Sequence, residues 1–292
     1  MNLLHIAIAR HQPSLEQALS AFGNVRTIYW REVDNLQAEI KAALLDFTPD
    51  ITWMQVQAHN VIDAATVRSI PGKVYNFTGD VRSPLPEWYK SVGRYCTTVF
   101  TNMNDVKHMR TLGYDALHTY MGFEEAIQPH SVPQKFDVAF LGSNYENRFP
   151  LSAYRKNVIT HLMNNYNLLL MGSKWANGVS SNYYDYKDIG LCYSRSKVGI
   201  NISQFNYEGY TSARMLQIMA AGCFCLTQHY PKIERDFVIG EHLDVFKDIA
   251  DLDKKLQFYL NNDEERNRIA AQGYEHVKNN YNWTAILKGI IK

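Results

Sequence analysis

The chain changes its apolar period every ten residues or so. Short apolar runs of strand length alternate with stretches whose apolar residues recur every three to four positions. Leu3–Ala9 reads as a strand, Ser14–Phe22 as a helix and Val25–Trp30 as a strand. Asn35–Phe47 is predicted to be a helix with Leu36, Ile40, Ala43, Leu44 and Phe47 on one face. Strands Asp50–Val56, Lys73–Phe77, Cys96–Thr101 and Ala116–Tyr120 follow, with helices at Val61–Ile70, Glu87–Val92 and Asn104–Leu112. The pattern restarts with strand Phe136–Leu141, helix Ala153–Asn164, strand Asn167–Met171, an irregular tyrosine-rich stretch and strand Lys197–Ile202. Helix Thr211–Ala221, strands Cys223–Leu226 and His242–Phe246, and helices Leu252–Asn261, Glu264–Asn279 and Trp283–Ile290 complete it. Such alternation builds right-handed βαβ units around parallel sheets. Gly122–Lys135 holds two prolines and little periodicity and reads as a linker. The expectation is α/β: two doubly wound Rossmann-like domains, residues 1–128 and 134–292, facing across a cleft. Ligands of such sheets bind at the carboxyl ends of the strands.

Composition narrows the function. With 46% hydrophobic and 20% charged residues in 292, the chain is neither disordered, collagen-like nor a coiled coil. Net charge is +1, and residues 1–132 carry 11 Lys and Arg against 13 Asp and Glu, so charge alone implies no nucleic acid. Apolar runs such as Val138–Leu141 fall far short of the ~20 residues of a membrane span. The opening apolar run lacks a basic flank, so it reads as a strand, and a cytoplasmic location is expected. Cys96, Cys192, Cys223 and Cys225 are expected as thiols, and the C-x-C lacks a second pair at zinc spacing.

Two nucleotide motifs are missing. The turn after the first strand is Ala9-Arg10-His11-Gln12-Pro13 rather than G-x-G-x-x-G, and Gly172-Ser173-Lys174 is too short for a P-loop. Asp251 and Asp253 form a D-x-D, but at a helix start, where Asp caps free N–H groups. The strongest signal is Asn206–Gln228, a polar loop, a helix from about Thr211 or Ser212, and a buried strand. A helix start suits a diphosphate. Arg214 in its first turn opposes the helix dipole, which an anion partner would rationalise; a solvated surface Arg is the other reading.

The SARMLQIMAAG helix, His229-Tyr230-Pro231 and the late Asp263–Gly273 helix resemble the C-terminal half of GT-B glycosyltransferases, closest to the spore-maturation (CgeB-type) group. The likeness spans Phe136–Trp283 and, more loosely, Asn76–Arg82. It implies that Arg214 contacts the diphosphate of a nucleotide sugar. It also puts Gln217 where the family has a ribose-binding Glu; an amide can still bond a ribose hydroxyl. Tyr210, Thr211 and Ser212 lead into that helix. Gly142, Ser143 and Arg148 follow strand Phe136–Leu141, where similar proteins approach the diphosphate; a surface turn is the alternative. Gly172, Lys174 and Trp175 resemble the loop beside the base, with Trp175 either stacking on the base or packed on the domain.

The first domain is expected to hold the acceptor and the base. Asp80, just past strand Lys73–Phe77, and His59, past strand Asp50–Val56, are the two candidates, with Arg10 and His11 on the same edge. Tyr183, Tyr184 and Tyr186 read as half-buried packing. The function implied is transfer of a sugar from a nucleotide diphosphate sugar, UDP-linked, to an acceptor hydroxyl of a small molecule, glycan or protein, without a metal. An epimerase or a non-catalytic nucleotide-sugar binder are alternatives on the same fold. Phage transferases of this type glycosylate 5-hydroxymethylpyrimidines in DNA, which makes DNA another acceptor and the host cytoplasm the setting. Arg10, Arg82, Lys90 and Arg94 would meet the duplex, and Trp53, Tyr75, Phe77 and Trp88 would line a flipped-base pocket.

Overall fold

The computed structural model describes residues 1–58, 60–81, 84–175 and 186–291. The chain divides into two compact units, one of residues 1–121 with 286–292 and one of residues 122–285. The stretch Gly122–Lys135 is irregular and belongs to the second unit.

The first unit carries β1 (Asn2–Ala7), β2 (Asn24–Tyr29), β3 (Ile51–Met54), β4 (Lys73–Thr78), β5 (Thr97–Phe100) and β6 (Ala116–His118). They form one parallel sheet in the order β2-β1-β3-β4-β5-β6. Helices α1 (Pro13–Ser20), α2 (Leu36–Ala43), α3 (Ala64–Ser69), α4 (Glu87–Val92) and α5 (Met103–Thr111) connect them. Asn35, Asp63 and Asn102 cap α2, α3 and α5 by accepting N–H groups three residues on. One core cluster joins Leu4, Ile6 and Met54 of the sheet to Leu36, Ile40 and Val67 of the helices.

The second unit holds β7 (Phe136–Leu141), β8 (Leu168–Met171), β9 (Ser196–Asn201), β10 (Phe224–Gln228) and β11 (Asp244–Phe246), parallel in the order β11-β10-β9-β7-β8. Counted from its first strand, this is the order 2-1-3-4-5 of the first sheet. Each unit therefore has a switch point, between β1 and β3 and between β7 and β9, where the chain winds off in opposite directions. Helices α6 (Ser152–Asn165), α7 (Tyr186–Ser194), α8 (Ala213–Ala220), α9 (Ile249–Asn261), α10 (Asp263–Asn280) and α11 (Trp283–Lys288) complete the chain. A Cβ on Gly199 of β9 would lie 2.5 Å from Ile218, so its absence lets α8 press on the sheet.

Two expectations change. The tyrosine-rich stretch is not irregular throughout, because α7 occupies its end; Gly190 lowers its helix propensity, but the helix packs where its Cβ would sit 2.8 Å from the Gln128 carbonyl. Trp53, Tyr75 and Phe77 line no open pocket. They alternate along β3 and β4 on one sheet face, at most 1% exposed, with Trp53 and Phe77 rings stacked at 5.5 Å. Tyr75 donates its hydroxyl to the Ile290 carbonyl at 3.1 Å, so residues 286–291 help roof that face.

Candidate functional site

The second unit gathers its polar groups at the β7–β9 switch point. Strand β7 ends on Gly142-Ser143-Asn144, strand β8 on Gly172-Ser173-Lys174-Trp175, and β9 on Asn201. Gly172 has φ +139, and a Cβ there would meet the Gly142 carbonyl at 2.3 Å. Only glycine lets the two strand ends touch. Ser173 donates to Ser143 Oγ at 2.9 Å, Asn144 Nδ2 to the Lys174 carbonyl at 3.2 Å, and Trp175 Nε1 to the Gly142 carbonyl at 2.7 Å. Trp175 is thus held edge-on to Phe140 against the core.

Ser212 caps α8, donating to Asn201 Oδ1 at 2.8 Å and accepting the Met215 N–H. Thr211 is buried with its hydroxyl 3.1 Å from that of Tyr230, and Tyr210 is half-buried, edge-on to Phe205. Arg214, in the first turn, spends Nε on the Leu141 carbonyl at 2.6 Å and Nη1 on the Ile202 carbonyl at 3.1 Å. Its Nη2 lies beside Gly142. Gln217 sits one turn further along, half-buried.

A second guanidinium arrives from α6. Arg155 is 2% exposed, and its Nε and Nη2 have no hydrogen-bond partner among the described residues. A Cβ on Gly142 would lie 2.4 Å from Arg155 Nη2 and 2.5 Å from Arg214 Nη2. Both guanidinium carbons lie close to the Phe140 ring, 4.7 and 4.6 Å from its centroid. Burial first, and then the Arg214 charge, pull Arg155 down to about 8; burial likewise lowers Arg214, against the pull of nearby tyrosines. Two guanidiniums with unspent donors converge on a glycine at a switch point, a donor set chemically suited to an anion. The sequence reading missed Arg155. Arg148, its expected counterpart, is exposed and lies over Phe149. The N-cap of α9 is Asp248, which accepts the Asp251 N–H, not the D-x-D; Asp251 accepts the Lys247 N–H and Asp253 the Tyr166 hydroxyl.

In the first unit, Asp80 is exposed two residues past β4. Its backbone is pinned: Tyr89 donates to Thr78 Oγ1 at 3.0 Å, Thr78 to the Asp80 carbonyl at 3.2 Å, and Thr101 to the Gly79 carbonyl at 3.1 Å. At the β1–β3 switch point, buried His5 places Nε2 3.3 Å from Gln55 Oε1, and Gln55 donates to Gln12 Oε1 at 2.6 Å. Burial pulls His5 down to about 4, against the Gln55 contact, so it is neutral near pH 7. Arg10 pairs with Glu32 beside the Tyr29 ring, and His11 Nδ1 lies 2.9 Å from the Ala9 carbonyl. His59, Arg82, Tyr183 and Tyr184 lie outside the described residues, as does the Tyr186 side chain. Arg94 precedes β5, at the amino edge, and is no part of this site. Among the described residues, no three His, Cys, Asp or Glu gather as a metal site, and no helix is long and apolar enough to cross a membrane.

Two all-parallel sheets that share the order 2-1-3-4-5 over their first five strands are the architecture of the GT-B fold. Residues 152–292 match the glycosyl transferase-like family. Sucrose-phosphate synthase from Thermosynechococcus elongatus matches 99% of this chain with 97% of its own, at TM-score 0.69 and 12% identity. HepE from Anabaena, solved with UDP and glucose, matches 99% with 98% of its own, at TM-score 0.67 and 10% identity. The β-glucosyltransferase of phage T4, solved with its UDP-glucose substrate, matches 100% of both chains at TM-score 0.64 and 12% identity. No curated protein sequence matches the chain.

Proposed function

We propose that the protein transfers a sugar from a UDP-sugar to an acceptor hydroxyl without a metal. The observation that carries this is the pair of guanidiniums at Gly142, buried Arg155 and half-buried Arg214, with Arg155 Nε and Nη2 unpaired among the described residues. The glycosidic carbon–oxygen bond to the β-phosphate breaks as the acceptor oxygen bonds the sugar carbon. Charge then develops on the leaving UDP, and preorganised cations in a water-poor site meet it without reorganising. Arg155 and Arg214 would hold the phosphates and Gln217 a ribose hydroxyl. Asp80 takes the acceptor's proton; His59 is the other candidate base. The UDP and UDP-glucose bound to HepE and to the T4 enzyme support the choice of donor.

The test incubates the protein with UDP-sugars, with and without chelator, and follows free UDP and the sugar. UDP release that chelator leaves intact is expected. A new sugar isomer without UDP would mark an epimerase, and binding without turnover a nucleotide-sugar receptor. Turnover that chelator abolishes and magnesium or manganese restores would refute the metal-free mechanism. DNA as acceptor is tested by transfer to 5-hydroxymethylpyrimidine duplexes; the fold shared with a DNA-modifying β-glucosyltransferase motivates that arm.

A further inference from the structure

A cavity of about 570 Å³ opens in the first unit, lined by residues that follow β2 and β3 and by the starts of α2 and α3. Trp30 is its aromatic wall, with Val33 and Val61 packed beside it on the core. The indole is anchored: Nε1 donates to the Gln55 carbonyl at 3.2 Å, and the Arg31 guanidinium lies 5.2 Å from the ring centroid. Asp34, Gln37 and Asn60 stand around it and make no hydrogen bond or ion pair with any described residue. Asp63, also in the lining, is committed to capping α3 through the Thr66 N–H at 2.6 Å. Among the described residues, the lining contains two carboxylates and no Lys, Arg or His.

We propose that this cavity binds a sugar ring of a neutral carbohydrate acceptor. The inference rests on the glycosyltransferase reading and specifies its acceptor class. A pyranose has an apolar C–H face, which suits an anchored indole, and a rim of hydroxyls that both donate and accept. Asp34 accepts from one or two adjacent hydroxyls, while the Gln37 and Asn60 amides donate and accept. A polyanion would be desolvated against two carboxylates, and the described lining holds no cation, with Arg31 only beside the indole, so a duplex or a nucleotide suits it poorly.

The whole protein is titrated with neutral gluco-, galacto- and manno-configured disaccharides, read by saturation-transfer NMR, and separately with UDP by calorimetry. Trp30→Phe, Asp34→Ala and Gln37→Ala are compared. Asp34 and Gln37 lack side-chain partners among the described residues, so their variants fold even where Trp30→Phe does not. Saturation transfer to at least one disaccharide is expected. Asp34→Ala should weaken it about tenfold or more, with UDP affinity unchanged. No transfer to any disaccharide, or transfer that Asp34→Ala and Gln37→Ala leave intact, would overturn the assignment while UDP binding still stood. Transfer only to a 5-hydroxymethylcytosine duplex would overturn the neutral class. Disaccharide binding without UDP binding would instead refute the donor reading and keep the cavity.

Discussion

Arg155 and Arg214 crowd one glycine, and a chain with no anion to bind gains nothing from that. Replacing a buried charge by an apolar group of similar length is often stabilising by about 1–4 kcal/mol. Arg155→Met should therefore raise the melting temperature of the ligand-free protein. It should also weaken UDP binding by about 1.5–3 kcal/mol, the worth of a charge-assisted contact. Calorimetry and a melting curve on one sample check both signs; a less stable variant with full UDP affinity would make Arg155 a structural residue. His5 gives a pH signature. Its folded value of about 4 lies below the ordinary 6.5, so the unfolded chain binds the extra proton between those values. Stability on the order of 3 kcal/mol is present above pH 6.5 and drains away as pH falls toward 4. His5→Leu should flatten that part of the stability profile, followed by denaturant melts at pH 4.5 and 7. Arg214 was legible in the sequence because a cation in a first helical turn needs a reason. Arg155 is the fourth residue of α6, beside Lys156 and amid ordinary helix formers, and the fold shows which side chain turns inward.

At the scale of elements, the period of the apolar residues was enough to place every strand, because a strand buried on both faces is a short continuous apolar run. The Glu87–Val92 helix and the Phe136–Leu141 strand fall on the expected residues. Sequence periodicity missed α7, whose only claim to helix is the surface it packs on. It also missed that the two sheets share one strand order, since the halves carry no common motif. The β8 turn is the element most exposed to a single change. Gly172→Ala forces a Cβ into the Gly142 carbonyl at a φ that L-residues avoid, so it should cost more than about 2 kcal/mol and loosen UDP binding with it. At the β4 end, Asp80→Asn should lower kcat by about 10²-fold or more with donor affinity unchanged. If His59→Ala is the crippling variant and Asp80→Asn nearly silent, the base is His59.

At the scale of the molecule, the second unit is an insertion in the first: the chain leaves unit one at Met121 and returns to it at Ile286. The returning segment brings Ile286, Ile290 and Ile291, all buried. Burying an isoleucine is worth about 1.5–3 kcal/mol, so removing residues 286–292 should cost the first unit more than about 4 kcal/mol. Differential scanning calorimetry should then show an early transition for the first unit, with the UDP-stabilised transition of the second unit retained. A single unshifted transition would show the segment to be dispensable.

Tyr75 sets a clock on synthesis. Its hydroxyl needs the Ile290 carbonyl, made 215 residues later. At 5–20 residues per second, the ribosome takes roughly 10–40 s to deliver that partner. During that interval the first sheet stands with an aromatic face incompletely roofed, while the second unit can already close around its own core. The domain begun first is finished last, and the nascent chain's hazard lies in the Trp53–Tyr75–Phe77 face rather than in the second unit.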